Sequence, residues 1–251
     1  MSNISLIFAS ILIIIPLIIS YKENLKLEKE IVISLFRAII QLVIVGYILN
    51  IIFGFENPIY TIGLVLIMIV NAANNAKKRG QGIEKVFAIS LISILSGTIV
   101  TMSILIISKA IKFTPSDVIP VAGMIISNSM IAIGISYRNL NNNFKNKREE
   151  IEIKLALGAD IRLAANEVIR ESIKISIIPT LDSAKTLGIV ALPGMMTGFI
   201  LAGTSPFMAI KFQIMVTFMI LSSTSISTML ATYLSYKGFF NERKQIRENV
   251  V

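Results

Sequence analysis

Between Val32 and Phe55 the chain offers 24 consecutive residues of which only one, Arg37, is charged. A water-soluble helix needs a polar face over such a length, whereas the hydrocarbon core of a bilayer asks for about 20 apolar residues in a row. Runs of the same kind recur along the sequence, and 54% of the 251 residues are hydrophobic. That composition belongs to a polytopic membrane protein. Seven candidate spans follow: Ile4 to Ser20, Val32 to Phe55, Pro58 to Ala73, Val86 to Ile107, Val118 to Tyr137, Leu187 to Gly203 and Pro206 to Tyr236. The sixth is short and interrupted by Pro193, and the seventh is long enough to be tilted or broken. The expected fold is all-α, an integral membrane protein of about seven transmembrane helices, with residues 1–251 forming a single transmembrane domain.

Only Met1, Ser2 and Asn3 precede the first apolar run, so no basic leader region is present and Ile4 to Ser20 reads as a retained helix. The net charge of +9 sorts by loop. One side would hold Lys22, Lys26 and Lys29, then Lys77, Lys78, Arg79 and Lys85, the basic residues between Arg138 and Lys185, and the tail from Lys237 to Arg247. The other side would hold only Lys109 and Lys112. Cytoplasmic loops carry such an excess, which puts the N-terminus outside and the C-terminus in the cytosol of a bacterial or archaeal plasma membrane. The basic charge is thereby explained without a nucleic-acid partner.

The chain has no Cys and no His. Disulfides, zinc sites of the usual kind, thiol nucleophiles and imidazole acid–base chemistry are excluded together. No G-x-S-x-G elbow and no G-x-x-x-x-G-K-[ST] loop is present, so the chain is read as a non-enzyme that binds no ATP itself; ATP-driven work would need ATP and Mg on a separate subunit. Every Asp and Glu falls in a loop or near a span end, which counts against a proton- or sodium-coupled transporter.

The one long polar stretch, 138–185, is expected to be a cytosolic segment between spans five and six. Asn142 to Leu157 would continue span five as a helix, with Gly158 just past its end and Asp160 capping the next. Leu157, Ile161, Ala164, Val168 and Ile175 then recur mostly at steps of three and four, the mark of an amphipathic helix, which Pro179 would end. Two readings of that helix stand: it lies on the membrane surface, or it docks a cytosolic partner.

Polar residues within the spans are the candidates for a transport pathway. Arg37 and Gln41 share a face of span two; Asn71, Asn74 and Asn75 cluster at the end of span three; Ser127, Asn128 and Ser129 sit midway through span five. Each neutral group has a plain alternative role, an interhelical hydrogen bond worth about 0.6 kcal/mol. Arg37 has one too, since near a span end it can snorkel to the interface. In span six, Gly194 and Gly198 form G-x-x-x-G with Ala202 extending the small face, a spacing that suits close helix contact, and Pro193 is expected to kink the helix. Met195 and Met196 fit either core packing or soft metal contact.

Seven segments in succession, "KLEKEIVISLFRAIIQLVIVGYIL" from Lys26, "NAANNAKKR" from Asn71, "VIPVAGMI" from Val118, "KLALGA" from Lys154, "SIIPTLDSAKT" from Ser176, "LPGMMTG" from Leu192 and "AIKFQIMVTFMILS" from Ala209, together resemble the FetB family. These are bacterial iron-exporting permeases of ATP-binding-cassette (ABC) type, related to plant membrane proteins linked to aluminium tolerance. The resemblance covers nearly the whole chain. It implies a permease domain that works as a homodimer with two copies of a cytosolic ABC ATPase subunit. It assigns Leu157, Gly158, Ala159, Asp160 and Arg162 to coupling with that ATPase. It also assigns Met195 and Met196 to a moving pathway helix together with Pro193, Gly194 and Gly198, the last three as its packing or hinge residues; Arg37, Gln41, Asn71, Asn75 and Asn128 are added to the pathway as polar residues within the spans. No metal-ligand set is assigned. A nucleotide-sugar or another solute carried by an ABC permease, or a stand-alone secondary transporter, remains the alternative.

Overall fold

The computed structural model describes Phe8, residues 10–54 and residues 58–247. The start of the first expected span, from Ile4 to Ile7 with Ala9, and Phe55 at the end of the second lie outside the described residues. Contacts divide the chain into two units, Met1–Glu56 and Asn57–Val251.

In the first unit, a 3₁₀ turn at Ile11–Ile13 leads into α1 (Ile14–Lys22), and a tight turn connects it to α2 (Glu28–Gly54). The turn is held by Ser20, whose Oγ donates to Glu28 Oε1 at 2.7 Å and accepts from the Leu27 amide at 3.1 Å. The apolar 18-residue window of α2 has no buried residue. A helix that is apolar on every side and uncovered is suited to lipid or to a partner helix, not to water.

The second unit is a helical bundle built from α3 (Pro58–Lys77), α4 (Val86–Ile107), α5 (Pro115–Asn146), α6 (Arg148–Ala156), α7 (Ile161–Ala164), α8 (Asn166–Thr186), α9 (Gly194–Leu201) and α10 (Pro206–Ser235). A 3₁₀ turn, Tyr236–Phe239, follows. Among the described residues the only extended pairings are two isolated bridges, Leu187 with Ala191 and Phe240 with Ile246. Five helices among the described residues are long and apolar enough to cross a membrane, over Glu28–Asn50, Pro58–Lys77, Val86–Ile107, Pro115–Asn146 and Pro206–Phe239. The apolar helix over Ile11–Lys22 is shorter. At 1.5 Å per residue, α5 with its 32 residues reaches about 48 Å, well beyond a hydrocarbon core of about 30 Å.

Lipid is as apolar as leucine, so helices in a bilayer associate through small residues and interhelical hydrogen bonds instead of apolar burial. The centre of the bundle is built that way. α3 presents Ala72, Ala73 and Ala76; α4 presents Ser90, Ser93, Gly97 and Thr101; α10 presents Ser223, Ser227, Ala231 and Ser235 at steps of four, all of them buried. Ser90 Oγ and Tyr137 Oη lie 2.9 Å apart, Ser136 Oγ and Thr232 Oγ1 2.7 Å, and Ser227 Oγ donates to Ser129 Oγ at 3.2 Å. The α5–α10 partners ascend together in sequence, so these two helices run parallel. At Gly97 a β-carbon would stand 2.1 Å from Ser227 Oγ and 3.1 Å from the Ser223 carbonyl oxygen, which makes it the closest glycine contact among the described residues.

The sixth expected span is not one helix. α8 does not stop at Pro179 but runs through it to Thr186; a turn at Leu187–Pro193 interrupts the chain, and α9 is only eight residues long. Pro179 removes one backbone donor, the one that would reach the Ile175 carbonyl, yet the helix continues on both sides of it, and Ser183 Oγ donates to the Pro179 oxygen at 2.9 Å. Pro193, in turn, sits ahead of α9 in extended conformation (ψ 143°) and so kinks nothing. Its carbonyl accepts from the Thr197 amide and hydroxyl, both at 3.0 Å.

Candidate functional site: a mid-bundle cleft and a braced elbow

Ser176, Thr180 and Ser183 of α8 face Asn128 and Ile135 of α5 and Gln213 and Thr217 of α10 across a half-open cleft of about 210 Å³. Gln213 and Ile220, the limits of the α10 lining, stand seven and 14 residues into that helix, roughly 10 and 21 Å from its start. The cleft therefore opens at the middle of the long apolar helices. It follows that the second half of α8 packs among the spans, although the segment 138–185 reads as cytosolic throughout from sequence. The polar mark of this stretch, Asp182 and Lys185 in an ion pair at 2.9 Å, lies on the exposed side of the helix.

Of the residues expected to form a pathway or hinge, Asn128 and Pro193 line this cleft. Asn71 and Asn75 do not: they lie on the exposed face of α3, opposite its alanine contacts, where Asn75 Nδ2 donates to the Asn71 carbonyl at 3.0 Å. Arg37 and Gln41 are exposed on α2, and the shallow groove they share is lined by α2 alone. Met195 packs against the apolar core and Met196 is half-buried, which favours the packing reading of the pair. At Gly194 and Gly198 an added β-carbon would meet nothing within 4 Å, so their G-x-x-x-G spacing makes no close contact among the described residues. The tight contact is made instead by Gly97, a residue outside the expected set. Its signal in the sequence is the run of small residues at steps of four from Ser93 through Gly97 to Thr101.

At the basic end of the bundle the expected coupling residues form an elbow. α6 ends at Ala156 in a Schellman turn: the Gly158 amide donates to the Leu155 carbonyl and the Ala159 amide to the Lys154 carbonyl, both at 3.0 Å, with Gly158 at φ +90°. Leu157 is 83% exposed, an apolar tip left uncovered by the described residues. Asp160 begins α7 but makes no side-chain cap, and its Oδ1 lies instead 3.6 Å from Lys244 Nζ. The Arg162 guanidinium stands 5.7 Å above the Tyr233 ring of α10.

The elbow rests on a rigid base. Lys147, at the break between α5 and α6, reaches Glu167 at 2.6 Å and Glu171 at 3.2 Å on α8. The hydrogen bond from Lys147 holds the Glu167 carboxyl below its ordinary range, and those to Glu167 and Glu171 raise the Lys147 ammonium above its own. Arg247 pairs with Glu84, and Asn141 Nδ2 donates to the Gln81 carbonyl at 2.9 Å. Phe144 is 1% exposed, stacked on Phe239 at 4.1 Å and edge-on to Phe240 at 5.6 Å. Removing a buried phenylalanine leaves a cavity, so Phe144→Ala should lower stability by about 3–5 kcal/mol, read as a drop in melting temperature of the full-length protein in detergent. An unchanged melting temperature would mean that the base is not packed as described.

The architecture, all-helical among the described residues, is that of a multi-pass membrane protein. The model of the "Uncharacterised protein family (UPF0014)" matches residues 3–240, and the chain belongs to that family. It is 49% identical over 245 residues to the Escherichia coli (strain K12) protein named "Probable iron export permease protein FetB", covering 98% of this chain and 95% of that one. It is 36% identical over 242 residues to "Protein ALUMINUM SENSITIVE 3" of Arabidopsis thaliana, covering 96% and 89%. It is 35% identical over 249 residues to the "UPF0014 membrane protein YjkA" of Bacillus subtilis (strain 168), covering 99% and 100%. No solved structure matches the chain.

Proposed function

We propose that this chain is the membrane permease subunit of an ABC exporter that moves iron out of the cytosol, with two copies of the chain served by separate ATPase subunits. The observation that carries the reading is the elbow: an exposed leucine at the tip of a glycine turn, on a base braced by stacked aromatics and ion pairs. An apolar tip on a rigid mount is what a groove in a moving partner can grip. The chain has no phosphate-binding loop, so ATP and Mg belong to that partner. Iron as cargo comes from the printed name of the Escherichia coli relative. The basic end, with Lys77, Lys78, Arg79 and the elbow, is the cytosolic end under the positive-inside rule.

Leu157, Gly158, Ala159, Asp160 and Arg162 then receive the ATPase stroke. α6 and α7 pass it to α8, and α8 forms one wall of the mid-bundle cleft. α8, the Leu187–Pro193 turn and α9 together act as one discontinuous membrane passage, a form that membrane proteins use where backbone lines a cavity.

The test is reconstitution in proteoliposomes. With a cognate ATPase and ATP, Fe²⁺ should move from the elbow side to the other, and without the ATPase there should be none. Flux from the purified chain alone would replace this reading with a channel or secondary transporter. ATP-dependent flux of nucleotide-sugars in place of Fe²⁺ would keep the permease and change its cargo.

A further inference from the structure

The polar groups of the cleft share an orientation. Asn128 Nδ2 donates to the Met124 carbonyl at 2.8 Å, Ser176 Oγ to the Ser172 carbonyl at 2.6 Å, Ser183 Oγ to the Pro179 carbonyl at 2.9 Å and Thr217 Oγ1 to the Gln213 carbonyl at 2.9 Å. The three hydroxyls each spend their one proton on their own helix and can offer the cleft lone pairs, while Asn128 keeps a second N–H beside its carbonyl oxygen. Gln213 Oε1 is buried with no hydrogen-bond partner among the described residues. An orphaned buried acceptor is uncommon and calls for a donor. Among the described residues, no Lys, Arg, Asp or Glu lines the cleft.

We infer that this cleft binds the cargo as a divalent cation with its water shell intact, held through outer-sphere hydrogen bonds to Asn128, Gln213 and the α8 and α10 hydroxyls. The inference rests on the permease reading for its direction of transport, and the chemistry of the cleft supplies the form of the cargo. A hydrated cation turns every water proton outward, so it presents donors to the lone pairs of these hydroxyls and to the unpartnered Gln213 Oε1. Stripping the shell of a divalent cation calls for charged oxygen ligands, which are absent from the described lining of the cleft. Water-mediated contact holds the ion loosely enough to leave, as export demands.

Mn²⁺ added to the full-length chain in lipid nanodiscs is the reporter. Pulsed magnetic resonance should count a full shell of six waters on the bound ion, and an anionic iron–citrate chelate should fail to displace it. Gln213→Glu should tighten Mn²⁺ binding about ten-fold or more by adding a charge, and should slow ATP-driven Fe²⁺ release. Gln213→Met should weaken binding and raise the KM for Fe²⁺. A depleted water shell, displacement by the chelate, or binding unmoved by either substitution overturns the site. Coupled Fe²⁺ flux with unchanged KM in both variants removes the site and leaves the permease standing. Shifted Mn²⁺ binding without any ATP-dependent flux does the reverse.

Discussion

Gly97→Leu should leave almost no folded protein in the membrane, read as loss of the single monodisperse peak when the full-length chain is extracted and sized. A β-carbon alone would stand 2.1 Å from Ser227 Oγ, and the hydroxyl cannot turn aside freely because it holds the Ser129 hydroxyl of α5. The Ser223 carbonyl at 3.1 Å is backbone and can move only with α10 itself. Overpacking of a well-filled interior costs about 1–3 kcal/mol and sometimes more, so Gly97→Ala should survive with a lowered melting temperature while the leucine variant should not. Gly198→Leu is the matched control. Nothing lies within 4 Å of its added β-carbon, so the folded chain should be retained. If that variant nonetheless loses transport, the small face of α9 meets a second copy. Wild-type behaviour of Gly97→Leu would mean that α4 and α10 do not approach as described.

Leu157→Asp should cut ATP-dependent transport about ten-fold or more while leaving the fold and the ATP hydrolysis of the partner intact. A side chain 83% exposed contributes little to its own chain's core, so its replacement has no route to unfolding the bundle. A charge placed where an apolar tip enters a groove opposes docking directly. Gly158→Val should act on the same step from a different cause. At φ +90° any β-branched residue is strained, at a cost of about 1–2 kcal/mol, and the Schellman turn that aims Leu157 should open. The measurement is the ratio of Fe²⁺ moved to ATP hydrolysed in proteoliposomes. An unchanged ratio in both variants would place energy input elsewhere on the chain.

Much of the fold is legible in the residues. The apolar runs of α2, α3, α4 and α10 mark their helices to within about four residues, because length and hydropathy alone decide whether a segment suits a bilayer, whereas α5 runs on past Tyr137 to Asn146. Gly158 is legible as a helix terminator for an equally local reason: a left-handed backbone position favours glycine. Sequence spacing misleads where the outcome depends on neighbours. Pro179 marks a helix end by its missing amide, yet α8 continues because it is packed against α5 and α10. The G-x-x-x-G of Gly194 and Gly198 is the better-known contact motif, yet the close approach is made at Gly97, among serines and threonines whose spacing on three different helices had to coincide. Asn71, Asn75 and Asn128 are alike as residues; only Asn128 reaches the cleft.

What the sequence determined by itself is the medium and the chemistry available: a helical membrane chain, basic on one side, with no thiol, imidazole or phosphate loop. Those properties are sums over residues and need no knowledge of partners. What only the tertiary structure decided is where neutral polar groups converge. Ser176, Ser183, Gln213 and Thr217 are ordinary helix residues until α8 is laid against α10. The hydroxyls of Ser176, Ser183 and Thr217 then donate to their own backbones, and Gln213 Oε1 is left beside them as a buried acceptor.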